Sequence, residues 1–166
     1  MNKIGIIMGS DSDLPIAEKA IEKLAEYGIN YEVHVYSAHR TPEETIRFAK
    51  EARQNGFDAL IGIAGKAAHL AGVIAANTTL PVIGVPVNSS LEGMDALLST
   101  VQMPPGIPVA TVGIDGAANA AILAAEILAV SDEKLAQLLL KKRIEAKEAV
   151  LEKNHRIEKK WTGGTK

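Results

Sequence analysis

Three short stretches hold most of the side chains able to do chemistry: Met8-Gly9-Ser10-Asp11-Ser12-Asp13, Ser37-Ala38-His39-Arg40-Thr41-Pro42 and Ala64-Gly65-Lys66-Ala67-Ala68-His69-Leu70. In the second, a side chain of the type that titrates near neutrality stands next to a permanent cation. His39 is therefore the candidate proton carrier, and Arg40 is suited to fork onto phosphate oxygens. Thr41-Pro42-Glu43-Glu44 has the form of a capping box with proline at the first helical position, so a helix begins at 41–42 and residues 37–40 are the loop before it. A helix start adds attraction for an anion. Taken alone, the stretch reads equally as an anion site and as an ordinary polar surface loop.

The other two stretches add partners. In the first, Gly9 lets backbone approach a ligand, Ser10 and Ser12 offer hydroxyls, and Asp13 is placed to cap a helix whose first turn accepts Pro15. It lacks the glycine spacing of a Walker or dinucleotide loop, and a well-capped strand-to-helix turn explains it as well. The third places Lys66 and His69 among small residues that permit close backbone approach. A lone histidine amid apolar neighbours is more often structural than catalytic. His34, inside a strand pattern, and His155, in a charged tail, read as structural or solvated.

These loops need a scaffold that brings them together. Short apolar runs recur at 3–8, 31–36, 58–64, 80–87 and 108–114, each followed by a turn cluster and then an amphipathic or alanine-rich segment. That alternation predicts βαβ units around a parallel sheet, with helices at about 14–27, 42–55, 67–77, 93–102 and 116–129. Right-handed crossovers cover both sheet faces, giving an α/β fold of the three-layer αβα sandwich type. Residues 31–36 alternate between polar and apolar, which places that strand at an edge, whereas the more uniformly apolar strands lie inside. All three stretches follow strands, at the sheet end where open parallel sheets bind ligands. Pro104, Pro105 and Pro108 around Gly106 stiffen a segment suited to a site wall or a subunit contact.

Composition narrows the possibilities. With 166 residues, 47% hydrophobic and 23% charged, one compact domain over residues 1–161 is expected. A net charge of −2 provides no broad basic field, so nucleic acid is not an expected partner. The chain has no cysteine, which removes disulfides and thiolate chemistry and suits a reducing cytoplasm. No segment approaches the about 20 apolar residues of a membrane span, so no membrane partner is expected. From Ser131 onward the pattern changes to a charged helix over about 132–161 without Gly or Pro. Leu135, Leu139, Ile144, Val150, Leu151, Ile157 and Trp161 give it an apolar stripe, which predicts packing on a neighbouring subunit. The alternative is a partly frayed, solvated tail, and residues 162–166 are expected to be disordered.

Taken together and in order, "MGSDSD", "SAHRTP", "AAHLAG", "GVPV", "LLSTVQMPPGIPV" and "GAANAAILAAEIL" closely resemble the class I catalytic-subunit family of phosphoribosylaminoimidazole carboxylase, the 5-(carboxyamino)imidazole ribonucleotide mutases. The resemblance covers about residues 3–160. It implies a flavodoxin-like, octameric, cytoplasmic enzyme of de novo purine synthesis with a C-terminal helix reaching onto neighbours. Such an enzyme moves a carboxyl group from the exocyclic amine of an aminoimidazole ribonucleotide to ring carbon 4 without metal, ATP or biotin, so no cofactor is expected. It also implies functional coupling to the ATP-dependent synthetase that makes the carbamate substrate. Matched motif by motif, Ser10, Ser37 and Arg40 fall on phosphate-binding positions, Asp13 on the ribose-hydroxyl partner and His39 on the catalytic histidine. Ala64, Gly65, Lys66, Ala68, His69 and Leu70 fall on the loop that encloses the base and the transferred carboxyl group.

Two positions depart from the family pattern: Lys66, where Gly or Arg is usual, and Ala71, where proline is common. The related class II carboxylases, which use free carbon dioxide, usually carry Lys in place of Arg40 and a Ser-Asn-containing third loop. Arg40 and "AAHLAG" favour class I. A non-catalytic nucleotide-binding module on the same scaffold is the other alternative, since a fold does not fix a function.

Overall fold

The computed structural model describes residues 2–161, and residues 162–166, expected as a disordered tail, lie outside the described residues. The chain divides into two compact units, Met1–Leu128 and Ala129–Lys166.

The first unit alternates strand and helix: β1 Lys3–Met8, α1 Leu14–Glu26, β2 Asn30–Val35, α2 Pro42–Glu51, β3 Ala59–Gly65, α3 Leu70–Ala75, β4 Val82–Val87, α4 Met94–Val101, β5 Ala110–Thr111 and α5 Ala117–Ala129. The five strands are parallel in the order β2-β1-β3-β4-β5, the flavodoxin-like arrangement, with helices on both sides. The direction of growth reverses after β2. Right-handed crossovers then put α1 on one face and α2, α3 and α4 on the other. β2 is an edge strand, as its alternation predicts. β1, β3 and β4 are buried on both faces and are correspondingly rich in Ile and Val, with Ile4, Ile6, Ile7, Leu60, Ile61, Ile63 and Ile83 all inaccessible to solvent. Each such side chain contributes about 1.5–3 kcal/mol of burial.

Several elements are shorter than their sequence pattern suggests, β4 among them at Val82–Val87, and three show the cause most directly. α2 stops at Glu51 instead of 55, because the chain turns through Gly56 at φ +77° and Phe57 N–H donates back to Ala52 O at 3.0 Å, seating the Phe57 ring in the core. α3 starts at Leu70 instead of 67: Lys66 is left-handed at φ +55°, and two tight turns follow, Ala68 N–H to Lys66 O and His69 N–H to Ala67 O, each at 2.8 Å. β5 shrinks to two residues at the free edge: Pro108 has no N–H to give the ladder before it, and after Val112 N–H donates to Gly84 O at 3.1 Å the chain turns away. His34 is structural, as expected. Its ring stacks on Tyr36 at 5.3 Å and meets Phe48 at 4.8 Å, and it pairs with Glu32 at 3.4 Å.

The second unit is dominated by α6, Glu133–Trp161, 29 residues and so about 43 Å at 1.5 Å per residue. Asp132 Oδ1 accepts from Leu135 N–H at 3.1 Å and caps its start. Leu135 and Leu139 are buried, whereas Leu140, Ile144, Val150, Leu151, Ile157 and Trp161 are exposed. Among the described residues no helix is long and apolar enough to cross a membrane.

Candidate active site

The order reverses between β1 and β3, and the loops leaving the carboxyl ends of β1, β2, β3 and β4 converge there on a cavity of about 520 Å³. Ser10, Asp13, Ser37, His39, Arg40, Ala64, Gly65, Lys66, His69 and Leu70 all line it. Ala68 does not. It is 2% exposed, and its N–H donates to Lys66 O at 2.8 Å. Three segments separated by some 25 residues each thus meet at one place, because they all follow parallel strands.

The loop after β1 carries a 3-10 turn, Asp11–Asp13, and its cap is Ser10 rather than Asp13. Ser10 Oγ accepts from Ser12 N–H at 3.3 Å and from the Ser12 hydroxyl at 2.9 Å. Asp13 occupies the N-cap position of α1 but makes no side-chain capping bond, contrary to the sequence expectation: Pro15 in the first turn has no N–H to offer, and Asp13 itself has helical φ/ψ (−85°, −4°) instead of the extended conformation of a capping residue. The Asp13 side chain instead faces the cavity, 8% exposed. Burial pushes its carboxyl above the usual carboxylate range, against the lowering effect of a Ser10 backbone hydrogen bond and of the Arg40 charge.

The loop after β2 is held by two local devices. Thr41 is the N-cap residue of α2 with Pro42 following, as expected, but its hydroxyl makes no cap bond to the helix. It turns back instead, accepting from Ser37 N–H at 2.8 Å and donating to Ser37 O at 3.2 Å. The capping-box residues therefore close the loop upon itself. Ser37 Oγ then accepts from the Arg40 backbone N–H at 3.2 Å and from Arg40 Nε at 3.4 Å, and Arg40 Nη2 donates to Gly9 O at 2.7 Å. The guanidinium is thereby fixed between the first and second loops with donors to spare.

His39 projects from the same loop to the third one. Its Nε2 lies 2.9 Å from His69 Nδ1, the rings edge to face with centroids 4.9 Å apart. At that distance one ring nitrogen donates and the other accepts, the direction following from the tautomers of the two rings. Lys66, on the left-handed turn, lies near Asp95 at the start of α4. The Asp95 carboxyl is held below the usual range, chiefly by the Ser90 hydroxyl and also by the Lys66 charge.

Ser89, in the loop after β4, also lines the cavity and was missed by sequence reasoning. Its available signal was position, directly after a strand at the ligand-binding end. A Cβ on Gly65 would collide with Ser89 Oγ, so glycine at 65 is what lets the third and fourth loops meet. The arrangement offers a fixed cation and hydroxyls for an anion, a carboxylate for hydroxyl groups and an imidazole for proton transfer.

A family model described as AIR carboxylase matches residues 3–149. The N5-carboxyaminoimidazole ribonucleotide mutase of Methanocaldococcus jannaschii is 56% identical over 154 residues, covering 93% of this chain and 96% of that protein. The mutase of the same name from Bacillus subtilis is 52% identical over 157 residues, covering 93% and 97%. In backbone, the crystal structure of Treponema denticola PurE matches with a TM-score of 0.83 at 29% identity, covering 98% of this chain and all of that one. In sequence and in fold, over nearly its whole length, the chain belongs to the AIR carboxylase family.

Proposed function

We propose that this chain is an N5-carboxyaminoimidazole ribonucleotide mutase of purine biosynthesis, an isomerase that moves a carboxyl group from the exocyclic nitrogen of its substrate to ring carbon 4. The observation that carries this reading is the meeting of His39, the Ser37–Arg40 pair and the 64–70 loop around one cavity. Relatives that bear the mutase name at 52–56% identity support it.

Ser10, Ser37 and Arg40 hold the phosphate, and Asp13 receives the ribose hydroxyls. Ala64, Gly65, Lys66, His69 and Leu70 enclose the base and carboxyl group, with the buried Ala68 closing the turn on Lys66. Protonated His39 gives its proton to the carbamate nitrogen. The carbon–nitrogen bond breaks with its electron pair going to nitrogen, leaving carbon dioxide and the aminoimidazole ribonucleotide. Carbon 4 attacks the retained carbon dioxide, forming the new carbon–carbon bond, and neutral His39 takes the proton from carbon 4. Protons and electrons balance over the cycle, and no cofactor is required. One group serving as acid and then base contributes about 10²–10⁴-fold. Enclosure keeps carbon dioxide next to carbon 4.

The enzyme works in the cytoplasm as a homo-octamer, functionally coupled to the synthetase that makes its carbamate substrate. Residues 1–161 act as one mutase domain, with α6 packing on neighbouring copies. Charge supports that packing. Residues 1–128 hold 8 Lys/Arg against 14 Asp/Glu, a net charge of −6, and residues 129–166 hold 10 against 6, a net +4, together the −2 of the chain. The exposed apolar residues of α6 add the burial such a contact needs.

The test is an ultraviolet assay of the carbamate ribonucleotide with wild type and His39→Asn. Turnover is expected to fall by about 10²–10⁴-fold in the variant while ribonucleotide binding persists, and near-normal turnover would overturn the role of His39. Faster turnover from aminoimidazole ribonucleotide and bicarbonate than from the carbamate would assign the chain to class II.

A further inference from the structure

The amino ends of β4 and β5 face away from the candidate site, at the opposite edge of the sheet, and a second cavity of about 930 Å³ opens there. Its size lies within the range of small-molecule sites. Its electrostatics are of one sign. Acids outnumber bases in residues 1–128, yet no carboxylate lines this cavity, while Lys50 and Arg53 do. Among the described residues neither cation has a carboxylate within ion-pair reach.

Arg53 is also held in place. Its Nη2 donates to Thr79 Oγ1 at 3.1 Å, which fixes the guanidinium against the cavity wall and leaves the rest of its donor fork for another acceptor. Beneath the two cations the cavity is apolar. Leu80 and Val82 belong to the core, and Ile107 forms a wall within the proline-stiffened 104–108 segment, its N–H donating to Pro104 O at 3.3 Å. Asn77 donates through Nδ2 to Val73 O at 2.9 Å, which orients its carbonyl oxygen as an acceptor. A pre-positioned guanidinium with a lysine beside it, an apolar floor and an amide acceptor match a ligand with a terminal phosphate and a flat, weakly polar body.

We propose that this cavity binds a nucleoside monophosphate, with the phosphate on Arg53 and Lys50 and the base against Leu80 and Ile107. The site is independent of the reaction assigned to the opposite edge. α6 of another copy is a poor occupant, because with nine Lys/Arg and five Asp/Glu it is itself basic.

The test is calorimetric titration of adenosine 5′-monophosphate into the full-length Arg40→Ala protein, in which the phosphate grip of the candidate active site is weakened. One saturable site per chain is expected, weakened about tenfold or more by adding Arg53→Ala and less by Arg53→Lys, which keeps the charge without the fork. Adenosine and inorganic phosphate, titrated separately, each bind about tenfold or more weakly than the nucleotide. Arg53→Ala alone keeps turnover of the carbamate substrate within about twofold, since distant sites act additively. No saturable binding to the Arg40→Ala protein, or an affinity unchanged by Arg53→Ala, would overturn the proposal. Inorganic phosphate binding as tightly as the nucleotide would overturn the nucleotide assignment.

Discussion

The two cavities at opposite ends of the sheet are built from unlike materials. The one at the carboxyl ends joins four loops from four different strands and mixes two cations, a carboxylate, hydroxyls and two imidazoles. The one at the amino ends joins a fixed guanidinium, a lysine and an apolar floor and has no group suited to proton transfer near neutrality. That contrast decides which end of the sheet can do covalent chemistry. Both can attract an anion, but only the first can also move a proton at the place where the anion is held.

The largest expected effect separates the two edges directly. His39→Asn lowers turnover by about 10²–10⁴-fold in the ultraviolet assay, whereas Lys50→Ala at the other edge leaves it within about twofold. If the two variants lose turnover alike, the division of labour fails. Next in size is Arg40→Ala. A charged hydrogen bond contributes about 1.5–3 kcal/mol, so calorimetry should find ribonucleotide affinity weaker by about 10- to 100-fold. Unchanged affinity would remove Arg40 from the phosphate end.

Gly65→Ala is expected to cost about 1–3 kcal/mol in denaturant unfolding, because its Cβ displaces Ser89. Ser89→Gly should recover much of that loss in a double-mutant cycle, and additive losses would show that the two loops do not touch. The smallest effect is electrostatic. Asp13 has its carboxyl raised by burial, so the folded chain holds that proton to higher pH than the unfolded chain does. Stability therefore falls as pH rises from the ordinary carboxylate range through the raised value, and the penalty is complete above it. Asp13→Asn should melt higher than wild type at neutral pH and match it in acid, while binding ribonucleotide less well. A variant that melts no higher at neutral pH would contradict the burial argument.

The alternation of strands and helices, the edge position of β2 and the grouping of three loops were legible because they follow from hydrophobic pattern and parallel topology. The convergence of residues 10–13, 37–40 and 64–70 needed only that all follow strands. What sequence did not disclose was local hydrogen-bond choice. Thr41 and Asp13 have the right types for helix caps, yet each side chain had a nearer or more useful place, one closing the Ser37 turn and the other facing the cavity. Such competition between caps and turns is decided by fractions of an ångström. Ser89 escaped because a serine after a strand is common, and its contact with residue 65 spans two strands. The amino-end cavity escaped because Lys50 and Arg53 look like ordinary surface charges until Thr79 is folded beside them.

The missing side chain at Gly65 and the hydroxyl of Ser89 occupy one volume. In inheritance the two positions therefore behave as a single trait written in two places, 24 residues apart in sequence. A lineage that gains a side chain at 65 has to turn the Ser89 hydroxyl aside or lose it. Exploration of new substrates by the third loop is thus coupled to the fourth, and an engineer who redesigns either loop alone is editing half of a unit.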